Sequence, residues 1–156
     1  MTTEDKEKFL KSGIVQELEP LKPETKAAWG KMNAWQMVEH LTNFFRVSSG
    51  KILFDIVTPE EHLPKYKEFL YSDKVFRENT KAPVSVIGEE PLPVTTSSFD
   101  AAKEELRISI EDFFNHFSDG EKQSVHPVFG SLNYNEWIML HYKHVIHHLR
   151  QFTAPL

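Results

Sequence analysis

The sequence contains no cysteine. This excludes a disulfide framework, a thiolate metal ligand and a cysteine nucleophile, so any sulfur chemistry must be supplied by a second molecule. Also missing is an apolar run long enough to cross a bilayer, and the first residues, Met1 to Lys8, do not follow a signal-peptide pattern. The expected compartment is therefore the cytoplasm, with no membrane partner. Clustered positive charge is absent as well. The 18 Lys and Arg are dispersed among 23 Asp and Glu, for a formal net charge of −5. Neutralising a phosphate backbone needs concentrated cations, so no nucleic-acid partner is expected. There is no low-complexity tract and no solenoid period.

What the chain does have is aromatic residues and histidine. Twelve Phe, three Trp and 40% hydrophobic residues in a chain of 156 fit one soluble globular domain, residues 1–156, with a core that needs no staples. Of eight histidines, four lie between His141 and His148. At about 100° per residue, Trp137, His141, His144, His148 and Phe152 share one sector of a helix, flanked by Leu140, Val145 and Leu149. Lys143 and Arg150 fall opposite. Histidines four apart stand one turn above each other and can hold one metal ion between them.

The periodicity predicts a first helix from about Thr3 to Leu18, capped by Thr3, weakened by Gly13 and ended by Pro20 and Pro23. A second runs from the cap Asn33 to Ser49, before Gly50, with His40 between Met37 and Phe44 on its apolar side. From Lys51 to Ser98, prolines 59, 64, 83, 91 and 93 interrupt the pattern. Pro64 to Tyr71 reads as a short helix, and Thr80 to Pro93 as irregular, the natural lid over a site. Ser98 opens a regular helix through Phe117, stopped by Gly120. His126 to Gly130 form a turn, and Asn133 with Glu136 forms a capping box that launches the histidine helix. With no convincing strand, this is an all-α fold: a four-helix bundle with a long irregular crossover between its second and third long helices.

An inward histidine on the second helix thus meets an inward pair on the last. From the spacing alone two readings stay open. The three can be hydrogen-bonded core residues, or neutral imidazoles holding a divalent ion with one position left for water or substrate. His141 is the reserve ligand, or a donor to a ligand. His147 packs at the edge of the arc or bonds a carboxylate that orients the site. His62 and His116 read as surface residues, His126 as a turn former, and Glu39 as solvated. The residues between His144 and His148 are not those of a zinc metalloprotease helix.

Trp29-Gly30, the run Trp35 to Leu41, His126 to Gly130, Glu136-Trp137 and the run Lys143 to Phe152 together resemble the DinB-like superfamily. The likeness is to its uncharacterised domain-of-unknown-function branch, whose members end in a similar H-x-x-H-H-L-R-Q-F run, and it extends from about Ser12 to Phe152. The resemblance implies a DinB-like four-helix bundle, commonly dimeric, with a divalent ion such as zinc or nickel on His40, His144 and His148. Leu149-Arg150-Gln151 departs from the Arg-Gly-Gln of many relatives. Characterised relatives include transferases and isomerases that use a low-molecular-weight thiol. The resulting expectation is a metal-dependent enzyme that activates water or such a thiol for transfer to, or hydrolysis of, a small-molecule substrate. The competing expectation is a non-catalytic metal-stabilised bundle or a stress-related binding protein. In either case the apolar residues of the connection, Phe54, Ile56, Leu63, Phe69, Val84, Val86 and Ile87, are expected to pack over the bundle end as a pocket wall.

Overall fold

Thr2, one residue earlier than expected, starts the first helix. Its hydroxyl accepts the Asp5 N–H at 3.1 Å while the Asp5 carboxylate accepts the Thr2 N–H at 3.0 Å. The structure, a computed structural model, describes residues 1–78, 91–118 and 120–152. Helix α1 (Thr3–Lys8) and helix α2 (Ile14–Leu18) are joined by a π-helical turn, Phe9–Gly13. Gly13 belongs there because a Cβ at this position would fall 2.5 Å from the Phe9 ring. Leu10, Ile14 and Leu18 are fully buried, worth roughly 1.5–3 kcal/mol each before conformational entropy is counted.

Helix α3 (Ala34–Ser48) begins where a reading of the caps puts it: the Asn33 side chain accepts the Gln36 N–H at 2.8 Å, and Gln36 returns a bond to the Asn33 N–H at 3.0 Å. Gly50, at φ +78°, ends it. Its buried row is Ala34, Met37, Val38, Leu41 and Phe45. Helix α4 (Leu63–Tyr71) follows a single 3-10 turn, and helix α5 (Phe99–His116) starts at Ser98, whose hydroxyl accepts the Ala101 N–H at 3.0 Å. Helix α5 lies along α3 and closes the core with Ala102, Leu106, Ile110 and Phe113.

The fold is mostly helical, but it is not purely so. Strands β1 (Ser124–His126) and β2 (Gly130–Leu132) pair antiparallel, Val125 opposite Ser131. Three-residue strands are too short to display an alternation, and the turn sets the pairing instead. His126 Nδ1 accepts the N–H groups of Val128 at 3.0 Å and Phe129 at 3.2 Å, and Gly130 takes φ +84°. The final helix, α6 (Tyr134–Phe152), starts with the expected reciprocal cap: the Glu136 N–H donates to Asn133 at 2.9 Å and the Asn133 N–H to Glu136 at 3.0 Å.

The described parts of the connection pack on the rest. Ile52, Phe54, Phe69 and Phe76 lie against the core, and the Val57 N–H and Thr58 hydroxyl donate to Pro127 and Val128 carbonyls, both at 2.7 Å. Ile56 stays 42% exposed, and Val84, Val86 and Ile87, with most of the irregular stretch from Thr80, lie outside the described residues. No described helix is long and apolar enough to cross a membrane.

Candidate metal centre

His40 reaches the centre from α3, His144 and His148 from successive turns of α6. The Nε2 of His144 is 3.1 Å from that of His40 and 3.0 Å from that of His148, and the three candidate ligand atoms lie within 4.8 Å of one another. Among the described residues no carboxylate joins this group. His148 is buried, while His40 and His144 keep part of their surface open. Phe44 closes one side, its ring 4.9 Å from His40 and 4.7 Å from His144.

Gln151, one turn beyond His148, decides which nitrogen of that imidazole is available. Its Nε2 donates to the Trp29 carbonyl at 3.1 Å, which turns its Oε1 toward His148 Nδ1 at 2.7 Å. The Nδ1 proton is thereby committed and Nε2 of His148 presents a lone pair to the centre. Around this bond the chain is tightly fitted. The Ala28 N–H donates to the Gln151 carbonyl at 2.7 Å, and Gly30, at φ +82°, leaves only 3.0 Å between an added Cβ and Gln151 Nε2.

All three imidazoles are held neutral. Burial pushes His40 down to about 4, with the charge of His147 adding to it. Burial, then the charges of His148 and His40, keep His144 well below the ordinary histidine value, and burial with the charge of His40 does the same for His148. Neutral rings leave a conflict. With His148 Nε2 proton-free, a proton on His144 Nε2 can serve one neighbour well but not both, and a proton on His40 Nε2 leaves His144 and His148 facing lone pair to lone pair. A cation among them removes the conflict. Two nitrogens bound to one ion at about 2.0–2.1 Å and a tetrahedral angle stand about 3.3 Å apart, close to the 3.1 and 3.0 Å separations about His144. The donor set therefore fits a divalent ion of the zinc or nickel class.

The remaining histidines have other work. His141, the reserve ligand, is a core residue: it stacks on Phe45 at 3.9 Å and shares a 2.8 Å hydrogen bond between its Nε2 and Ser48 Oγ. His126 fixes its turn. His147 packs between Trp29 and Phe76 and bonds the Phe76 backbone. His62 is exposed as expected, but His116 is half-buried against Phe117.

Two charged residues are engaged by distant segments that the sequence pattern does not show. Glu39 keeps part of its surface in solvent but is tied down. It accepts the N–H groups of Thr95 and Thr96 at 3.0 Å and the Thr96 hydroxyl at 2.5 Å, and these bonds outweigh the upward push of burial on its pKa. Thr96 in turn accepts the Trp35 indole N–H at 2.7 Å. Lys143 is buried and donates to the carbonyls of Ser72, at 2.7 Å, and Lys74 beyond the end of α4. Sequence reasoning quoted Gln151 without giving it a role. The signal was its position three residues after His148, on the same helical face.

Gln151→Leu is expected to weaken metal binding by about 10–100-fold, since it frees the His148 ring and its tautomer. A competition titration with a chromogenic chelator measures this, and an unchanged affinity would remove Gln151 from the site.

The profile of a family described as protein of unknown function (DUF1569) matches residues 76–155, just over half of the chain, and so takes in His144 and His148 but not His40. No curated protein and no solved structure matches.

Proposed function

Because the chain belongs to the DUF1569 family, whose description names no activity, its chemistry must be read from its own residues, and we propose that it is a divalent-metal-dependent enzyme built as a DinB-like four-helix bundle. His40, His144 and His148 would hold zinc or nickel. The observation that carries this reading is the convergence of three neutral Nε2 atoms, one with its tautomer set by Gln151, without enough protons to satisfy one another. When bound, the ion would lower the pKa of a water or of a low-molecular-weight thiol and so supply the nucleophile that a cysteine-free chain lacks.

The protein's own contribution is positional. Gln151 and the Trp29 carbonyl orient His148, Phe44 shields the two nearer rings, and His40 and His144 are only partly buried as residues. That partial exposure favours catalysis, by transfer or hydrolysis, over a closed structural ion.

Cobalt substitution tests the reading. Co(II)-loaded protein titrated with 2-mercaptoethanol should develop a thiolate-to-cobalt absorption band that saturates at one thiol per ion. A cobalt spectrum indifferent to thiol and to azide would mean a closed coordination shell, and the protein would then be a metal-stabilised bundle.

A further inference from the structure

A cavity of about 930 Å³ lies between α4, the segment after it and the hairpin turn. Its walls are aromatic: Tyr66 meets Phe129 edge to face at 5.5 Å, Phe69 meets Phe76 at 5.0 Å, and Phe129 stands 6.4 Å from both Phe69 and Phe76. Lys65, Lys74 and Arg77 also line it, and no carboxylate is among its described lining residues. Glu68 lies beside Lys65 and Lys74 in the adjoining recess, so this part of a chain of net charge −5 carries more cations than carboxylates.

Aromatic walls alone would suit a quaternary ammonium ion, whose charge interacts with ring faces. Lys65 and Lys74 in the lining reverse that preference. They oppose a positive ligand and favour a negative one, while the rings take up a flat apolar body. We propose that this cavity binds a small aromatic anion, with the ring system among Tyr66, Phe69, Phe76 and Phe129 and the anionic group toward Lys65 and Lys74. The site is distinct from the histidine centre and separated from it by His147 and His126. Phe76 is 5.7 Å from His147, which touches His148 at 5.0 Å, and Phe129 is 5.1 Å from His126.

The probes are 1-anilinonaphthalene-8-sulfonate, which carries one negative charge, and its neutral analogue N-phenyl-1-naphthylamine. Fluorescence titration should show saturable binding of one sulfonate per chain, in metal-loaded and EDTA-treated protein alike, so the result does not depend on the metal reading. In the double variant Lys65→Glu, Lys74→Glu, sulfonate binding should weaken about tenfold or more while binding of the neutral analogue stays within about twofold. Both lysines are exposed, and an unchanged melting curve would show that the variant is folded. The proposal is overturned by non-saturable sulfonate binding, by sulfonate affinity that survives charge reversal, or by equal loss for both probes.

Discussion

Purified without a histidine tag or added metal, the wild-type chain will carry one divalent ion per molecule, and the His144→Ala chain will carry almost none. His144 is the residue to remove because its Nε2 is the one in close contact with both other rings, at 3.1 and 3.0 Å. Alanine there leaves His40 and His148 as a pair with no third donor from the described carboxylates. Structural zinc sites bind with about 10–16 kcal/mol from four ligands, so one imidazole is worth about 3 kcal/mol, roughly a hundredfold or more in affinity. Elemental analysis gives the stoichiometry directly. His62→Ala, at an exposed position, is the control and should retain its ion. Full metal content in His144→Ala would mean that the three histidines are a hydrogen-bonded core cluster.

The second large effect is loss of stability in acid. Burial lowers His40 to about 4, and His126 and His141 to about 3, the last helped by the nearby His126. In the unfolded chain each titrates near 6.5. As pH falls below that value the unfolded state takes up protons that the native state refuses, so the native state loses ground until pH reaches the depressed values. At pH 5 each of these three has cost about 2 kcal/mol, about 6 together, against about 5–15 for an ordinary domain. His144 and His148 push the same way. Denaturant titrations of EDTA-treated protein at pH 7.5 and pH 5 should therefore differ by at least that amount, or find the protein unfolded at pH 5. Bound metal should leave over the same range, since ligation needs neutral imidazoles. Stability that is level from pH 7.5 to 5 would show that these rings are protonated in the native state.

What could be read in advance was what local chemistry decides. Asn33, Ser98 and Asn133 each place a side-chain acceptor where a helix leaves its first N–H groups unpaired, and each starts a helix here. The inward faces of α3 and α6 follow from period alone, which is why His40, His144 and His148 could be brought together on paper. Period could not show that α6 is covered on a second side. Lys143 stands opposite the histidine face, as the helical wheel requires, yet it is buried and bonded to the Ser72 and Lys74 carbonyls just beyond α4. Glu39 points away from the core for the same geometric reason, but Thr95 and Thr96, 56 and 57 residues on, arrive to meet it. His141 was rightly placed inside, and what was invisible was Ser48, 93 residues earlier, waiting as its partner. The hairpin was missed because its pairing rests on His126 and a left-handed glycine, not on any alternation within the strands.

The three tryptophans give the molecule an optical property. Trp35 donates to Thr96 where the connection meets α3, Trp29 lends its carbonyl to the glutamine behind His148, and Trp137 lies 5.2 Å from His141 and 5.7 Å from His126. An imidazolium quenches a neighbouring indole far more than an imidazole does, and an indole released from a hydrogen bond changes its emission. Each fluorophore therefore reads a different part of the molecule: the contact of the connection with α3, the backbone beside Gln151, and the protonation of the core histidines. Chains keeping one tryptophan at a time would let those events be followed separately, in solution and without an added label.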